Sequence, residues 1–264
     1  MTTEASTWDP KQYAQFRAER SKPFYDLAAL VETKPGMVDE RVVDLGCGDG
    51  VLTAWLHQYL SAGETLGVDN SETMLAAAAK QAAEGLRFER ADIATFTAQR
   101  PFDLIFANAS LHWRPNHDLL LPRLCALLTP GGQSAVQIPA MTEHLTHTTA
   151  DSLAGEEPFA SALGGFARGF APVLQPARYS ELLWQSRCAQ QTVRLNVYPH
   201  LMPGYEAVVE WVRGAYLTPY EVRLGPTLFK PFLQEYTRRL AVAIPQRPYL
   251  YIYARILIWG RMPT

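Results

Sequence analysis

Arg41–Val42–Val43–Asp44–Leu45–Gly46–Cys47–Gly48–Asp49–Gly50 decides how this chain folds. A short run rich in β-branched residues ends in three alternating glycines. From Val51 the apolar residues Leu52, Trp55, Leu56, Tyr59 and Leu60 return at helical spacing. The expected unit is a strand, a glycine turn and a helix. Glycines let the backbone turn sharply and bring a ligand close to the amides that open the helix. A dinucleotide fingerprint would put its third glycine at position 51, where Val51 stands. The spacing is therefore G-x-G-x-G, which disfavours a pyrophosphate ligand. Asp44, just ahead of the loop, repels a diphosphate and attracts an ammonium group.

Working outward, Thr65 to Asp69 reads as a second buried strand, and Ser71 is placed to cap an alanine-rich helix over Glu72–Ala83 that stops at Gly85. Leu86–Ala91 and Phe102–Ala107 are the third and fourth strands. Leu119–Leu128 is helical, Thr129–Pro130–Gly131–Gly132 is a turn, and Gln133–Ile138 is the fifth strand. Strands and helices that alternate, with continuously apolar strands, imply a parallel sheet covered on both faces. Beyond Ile138 the pattern changes to helices and long loops, marked by Pro158, Gly164–Gly165, Gly169, Pro172 and Pro176. Alternation resumes over Gln191–Val197, Tyr205–Ala215 and Thr227–Ala243 read as helices, and Tyr249–Trp259 as a last strand. The expected fold is α/β, a doubly wound, Rossmann-like, mostly parallel seven-stranded sheet within one domain over 1–264. Its expected parts are an N-terminal lid (1–35), a ligand-binding core (36–139), an inserted, largely helical cap (140–190) and a C-terminal part of sheet and cap helices (191–264).

Composition narrows the function. The 264 residues carry 24 Lys+Arg against 26 Asp+Glu, a net charge of −2, which argues against a nucleic-acid binder. Cys47, Cys125 and Cys188 are few and scattered, which excludes a disulfide framework or thiolate zinc site and fits a cytoplasmic protein. No signal-peptide pattern opens the chain, and the apolar run Tyr249–Trp259 is short and holds Arg255, so no membrane association is expected. His144 and His147 lie three apart with no third ligand in view, so no metal is expected. Nothing in the sequence assigns an oligomeric state.

The strand ends carry the chemistry. Asp69 closes the second strand at the switch point of the sheet, where a carboxylate takes both hydroxyls of a ribose. Asp92 closes the third and can accept from an exocyclic amine while Ile93 packs a ring. Asn108–Ala109–Ser110–Leu111–His112–Trp113 closes the fourth. Together these features resemble the class I S-adenosylmethionine-dependent methyltransferases. A closer resemblance spans about residues 8 to 259. Trp8–Asp9–Pro10, Tyr13, Phe16, Glu19 and Arg20, then DLGCG at 44–48, DLIFANASLHW at 103–113, LLPRL at 120–124, AVQIP at 135–139, VEWVRGAYLTPY at 209–220 and ARILIW ending at Trp259 are similar to the trans-aconitate 2-methyltransferases.

That resemblance implies S-adenosylmethionine as cofactor and a small-molecule acid as acceptor, methylated on a carboxylate. Tyr13 and Arg20 would close over the methionine carboxylate, with Asp44, Gly46 and Gly48 along the methionine. Asp69, with Asn70 and Met74 beside it, would hold the ribose, and Asp92 and Ile93 the adenine. Asn108, Ala109, Ser110 and Trp113 would line the crevice near the methyl group. A carboxylate acceptor is already ionised and needs no general base, so positioning and desolvation carry the rate. A polyanion needs cationic partners, for which Arg255 and Arg213 are the candidates, with Tyr198, His200, Trp211 and Tyr216 as walls. The family usually has glutamine at the position of His112 and an acid-plus-amide pair at Ala140–Met141. Two alternatives therefore stand. One is a different acceptor, either a carrier-bound malonyl thioester or a hydroxyl or amine with His112 as base. The other is a cofactor-binding protein without turnover.

Overall fold

A computed structural model describes residues 21–33, 40–166 and 173–264. A helix, α1, is described over 21–28. Then follow β1 (Arg41–Leu45), α2 (Val51–Leu60), β2 (Glu64–Asp69), α3 (Glu72–Ala78), β3 (Leu86–Arg90), β4 (Phe102–Asn108), α4 (His117–Cys125) and β5 (Leu128–Pro139). The second half holds α5 (Leu145–Ala154), α6 (Phe159–Leu163), α7 (Pro176–Gln185), β6 (Gln190–Met202), α8 (Tyr205–Val212), α9 (Thr218–Ala243) and β7 (Tyr249–Arg261). One seven-stranded sheet has the order β3-β2-β1-β4-β5-β7-β6. Its first five strands are parallel, and β7 runs antiparallel between β5 and β6. This is the doubly wound, mostly parallel sheet expected from the sequence. Among the described residues no helix is long and apolar enough to cross a membrane.

Alternate side chains of each strand feed two cores. On one face Ile105, Ala107, Val136, Ile138, Ile256 and Ile258 pack with Leu120, Leu121 and Leu124 of α4 and Tyr179, Leu182 and Leu183 of α7. On the other, Val42, Leu104, Phe106, Ala135, Leu257 and Trp259 pack with Phe24, Leu27 and Ala28 of α1 and Leu56 and Leu60 of α2. The chain after α1 is anchored through Gln133, whose amide exchanges 2.9 Å bonds with the backbone of Glu32 and also accepts from Trp259 Nε1. A third cluster joins α5, α6, α8 and α9 to Met202 and Tyr251, and forms the cap.

Several boundaries differ from the sequence reading. Thr129–Pro130–Gly131–Gly132 is the irregular first part of β5, because Gly131 N donates to Pro263 O and Met262 N to Gly132 O, which hold it in the sheet. The alanine-rich helix ends at Ala78 and tightens to a 3-10 turn over Ala79–Gln81, although Ser71 caps it as expected by accepting from Met74 N. Tyr205–Ala215 is helical only to Val212, then widens over Arg213–Leu217 into a π turn continuous with α9. α9 holds two helical stretches joined at Gly225, whose φ 62° and ψ 175° are non-helical; the second is the helix expected from Thr227, and the first, with Pro219 in its first turn, lies outside the helices expected from the sequence. β6 extends to Met202 through Pro199, which an edge strand tolerates. Finally, α7 falls within the segment read as cap, yet its buried residues belong to the sheet-side core.

Candidate functional site

The glycine loop joins β1 to α2 with Gly46, Gly48 and Gly50 all at positive φ (86°, 57° and 76°). A Cβ on Gly46 would lie 2.3 Å from Ser110 Cβ, whereas one on Gly48 would meet nothing within 4 Å. Gly46 is therefore where two loops touch, and Gly48 faces open space. Gly46→Ala is expected to lower the melting temperature sharply. Gly48→Ala should fold with only the roughly 1–2 kcal/mol cost of a left-handed residue. Circular dichroism melts of the pair would check this, and equal melting temperatures would contradict it.

Beneath the loop, Asp44 is buried and accepts from Thr53 Oγ1 of α2 at 2.5 Å. Burial raises its pKa to about 6, against the opposing Thr53 bond and with a further push from Asp69. Asp69, at the end of β2, accepts from Gly48 N at 3.0 Å through Oδ2 and from Ser71 N at 2.9 Å through Oδ1. The carboxylate thus locks the loop to the next helix and is left half-buried at the crevice rim. Asn70 and Met74 beside it are exposed. Asp92 caps its own turn through Ala94 N at 2.8 Å and pairs with Arg114 at 3.0 Å. Ile93 is buried against the same loop, its Cδ1 3.7 Å from where a Gly46 Cβ would lie.

The fourth strand end is a tight corner. Ala109 has φ 51°, and its N–H donates to Gln137 O. Ser110 is buried and donates to Leu45 O at 2.5 Å, so its hydroxyl braces the glycine loop. Asn108 Oδ1 is buried and has no hydrogen-bond partner among the described residues. His112 is buried, with its ring 5.0 Å from that of Trp113, which is half-exposed.

Asn108, Gln137, Arg255 and Asn196 form a polar row across the α1 face, since Asn108 pairs in register with Gln137 and Arg255 lies opposite both Pro139 and Asn196. Arg255 is only 7 % exposed, donates to Gln137 Oε1 at 3.0 Å and lies over the Tyr253 ring. Tyr198 is buried and donates to Asp26 of α1 at 2.8 Å; burial pushes its hydroxyl up to about 12. Above this row sits an aromatic box in which the Trp211 ring is 4.8 Å from His200, 6.1 Å from Tyr251 and 6.0 Å from Tyr253.

The remaining candidates divide. Tyr216 and Tyr220 both donate to Asp151 Oδ1, at 2.7 and 2.6 Å, and the His147 ring lies 3.8 Å from Tyr216. Arg213 is half-exposed and 3.6 Å from Glu221, a surface ion pair of the kind that contributes little. Tyr13 and Arg20 lie outside the described residues. Sequence reasoning missed Thr53, Arg114 and Gln137. Gln133 and Gln137 are the exception that left a signal, two amides four apart on one side of an otherwise apolar strand.

Residues 42–132 match the family model described as a methyltransferase domain. Trans-aconitate 2-methyltransferase from Deinococcus radiodurans is 41 % identical over 262 residues, 97 % of this chain and 99 % of the relative. The enzyme of that name from Variovorax paradoxus is 41 % identical over 91 % of each chain. The chain belongs to the trans-aconitate 2-methyltransferase family. It is an S-adenosylmethionine-dependent methyltransferase. Its fold is also that of the YcgJ protein from Bacillus subtilis, at a TM-score of 0.58 and 16 % identity over 91 % of this chain and 99 % of that one. The family's cofactor suits the loop geometry, with open space above Gly48 and a half-buried acid, Asp69, at its rim.

Proposed function

We propose that this enzyme transfers the methyl group of S-adenosylmethionine to a carboxylate of trans-aconitate or a closely related small polycarboxylate. The observation that carries the acceptor reading is Arg255, a guanidinium buried on the polar row beside the aromatic box. Gln137 and the Tyr253 ring hold this guanidinium next to the pocket walls, where its fork of donors suits a carboxylate. Identity of 41 % over nearly the whole of a named trans-aconitate enzyme supports the same substrate. A cytoplasmic location accords with three buried free thiols.

When bound, the cofactor supplies an electrophilic methyl on a sulfonium. Gly46 and Gly48 would let the backbone approach its methionine, and Asp44 and Asn108 would face the ammonium. Asp69 would accept from the ribose hydroxyls, Asp92 from the adenine amine, with Ile93 against the ring. α1 begins at the crevice end of the sheet, with Lys22 over the Tyr198 ring, which suits Tyr13 and Arg20 as lid residues. Arg255 would orient the acceptor carboxylate for in-line attack, and Trp211, Tyr253 and Tyr198 would exclude water. No general base is required, so His112 serves as a wall. Positioning of this kind contributes on the order of 7–11 kcal/mol in the best cases.

Kinetics with a panel of di- and tricarboxylates tests the reading. A kcat/KM for trans-aconitate at least about tenfold above the monocarboxylate analogues is expected, which is the scale of one lost anchoring contact. Turnover only with hydroxyl or amine acceptors would overturn it.

Asp44 adds a pH prediction. Its folded pKa of about 6 lies above the ordinary carboxylate value, so the folded state holds this proton more tightly than the unfolded chain. The stabilisation is full below that ordinary value and is lost as pH rises through about 6. An ammonium brought beside Asp44 favours the ionised form, so cofactor binding near pH 6 should release protons, and binding near pH 8 should not. Calorimetry in two buffers of different ionisation enthalpy would read this, and Asp44→Asn should abolish it. Equal release at both pH values, or release surviving in Asp44→Asn, would remove the assignment.

A further inference from the structure

Gln137 is fully buried near the carboxyl end of β5, and its Oε1 accepts from Arg255 Nη1. A guanidinium only donates, so this bond settles which end of the amide faces Arg255 and turns Nε2 the other way. Nε2 has no hydrogen-bond partner among the described residues. In register beside it, Asn108 Oδ1 is buried and also unpartnered. Folded cores pair the large majority of their buried side-chain polar atoms. Two orphan atoms on adjacent strand ends of one face therefore mark the place where a ligand completes the bonding.

The sheet order says which ligand. The glycine loop follows β1, and Asn108 closes the next strand, β4. Gln137 on β5 lies one strand further, and Arg255 on β7 beyond that, away from the cofactor loop. We propose that Gln137 is a specificity-determining residue, whose Nε2 donates to a carboxylate oxygen of the acceptor while its Oε1 holds the Arg255 guanidinium in place. A neutral amide suits this position. It gives the carboxylate a second directed donor beside the cation, whereas a glutamate would cancel the charge of Arg255 and repel the acceptor. The inference rests on the carboxylate-acceptor reading above.

Gln137→Glu and Gln137→Met test it. Glutamate still accepts from Arg255, so the fold is preserved, but the N–H donor is replaced by a negative charge. Gln137→Glu is expected to raise KM for trans-aconitate at least about tenfold, with S-adenosylmethionine affinity by calorimetry within about twofold of the wild type and an undiminished melting temperature. Gln137→Met, of similar length and without the donor, should give a smaller rise in KM. An unchanged KM in Gln137→Glu would overturn the proposal, as would a loss of cofactor affinity matching the rise in KM, which would put Nε2 on the cofactor instead. The underlying reading fails differently, on the wild-type enzyme alone, if no polycarboxylate yields an ester; the proposal then falls with it.

Discussion

Replacing Asp69 by alanine is expected to weaken S-adenosylmethionine binding by at least about tenfold, since a charge-assisted hydrogen bond contributes about 1.5–3 kcal/mol. Two effects add. The carboxylate is the proposed acceptor for the ribose, and it also receives the N–H groups of Gly48 and Ser71, so its loss frees the loop that faces the methionine. Asp69→Asn should fall between, because one carbonyl oxygen can keep one of the two backbone bonds. Titration calorimetry on the three proteins reads the series directly. Unchanged affinity in Asp69→Ala would remove the ribose assignment, and a reduced melting temperature with unchanged affinity would leave Asp69 a purely structural clasp.

Arg255→Leu is the second large effect. Cofactor affinity should be spared, while kcat/KM for the acceptor falls about a hundredfold or more, close to 3 kcal/mol at about 1.4 kcal/mol per factor of ten. Arg255 lies on β7, separated from the glycine-loop strand by β4 and β5, and is held by Gln137 and the Tyr253 ring. Leucine fills most of the volume of the side-chain stem and carries neither the charge nor the donors. Parallel loss of cofactor affinity and turnover would instead make Arg255 a structural cation that supports the whole crevice.

The parts of this fold that were legible in the sequence are those set by neighbours along the chain. The glycines of 46–50, the acids at 44, 69 and 92 and the strand–helix alternation are local signals. They led to the sheet, to the loop and to the family resemblance that the relatives then supported. Elements controlled by distant contacts were misread. Thr129–Pro130–Gly131–Gly132 carries every mark of a turn, yet pairing with residues 262 and 263 draws it into β5. The stretch 218–224, which the sequence reading leaves outside its helices, is helical where Tyr220 and Leu224 pack into the cap core, and Gly225 then separates it from the expected helix.

The candidate site shows the same division. Asp44 and Asp69 sit where their strand ends imply, because a parallel sheet delivers every strand end to one edge. The hydroxyl of Tyr216, a candidate pocket wall, bonds Asp151, a partner 65 residues away that no local pattern announces. Ser110, read beside the methyl group, braces Leu45 across the same distance in sequence. Gln137 lies within the AVQIP segment at 135–139 without a local mark of its role, since its partner Arg255 is 118 residues away.

The most direct measurement is the mass of the product formed from trans-aconitate with S-adenosylmethionine carrying a trideuterated methyl group. The expected product is a deuterated monomethyl ester that mild alkali hydrolyses back to trans-aconitate, formed in amounts equal to the S-adenosylhomocysteine released. S-adenosylhomocysteine formed without an ester, or a methylated product stable to alkali, would contradict methyl transfer to a carboxylate.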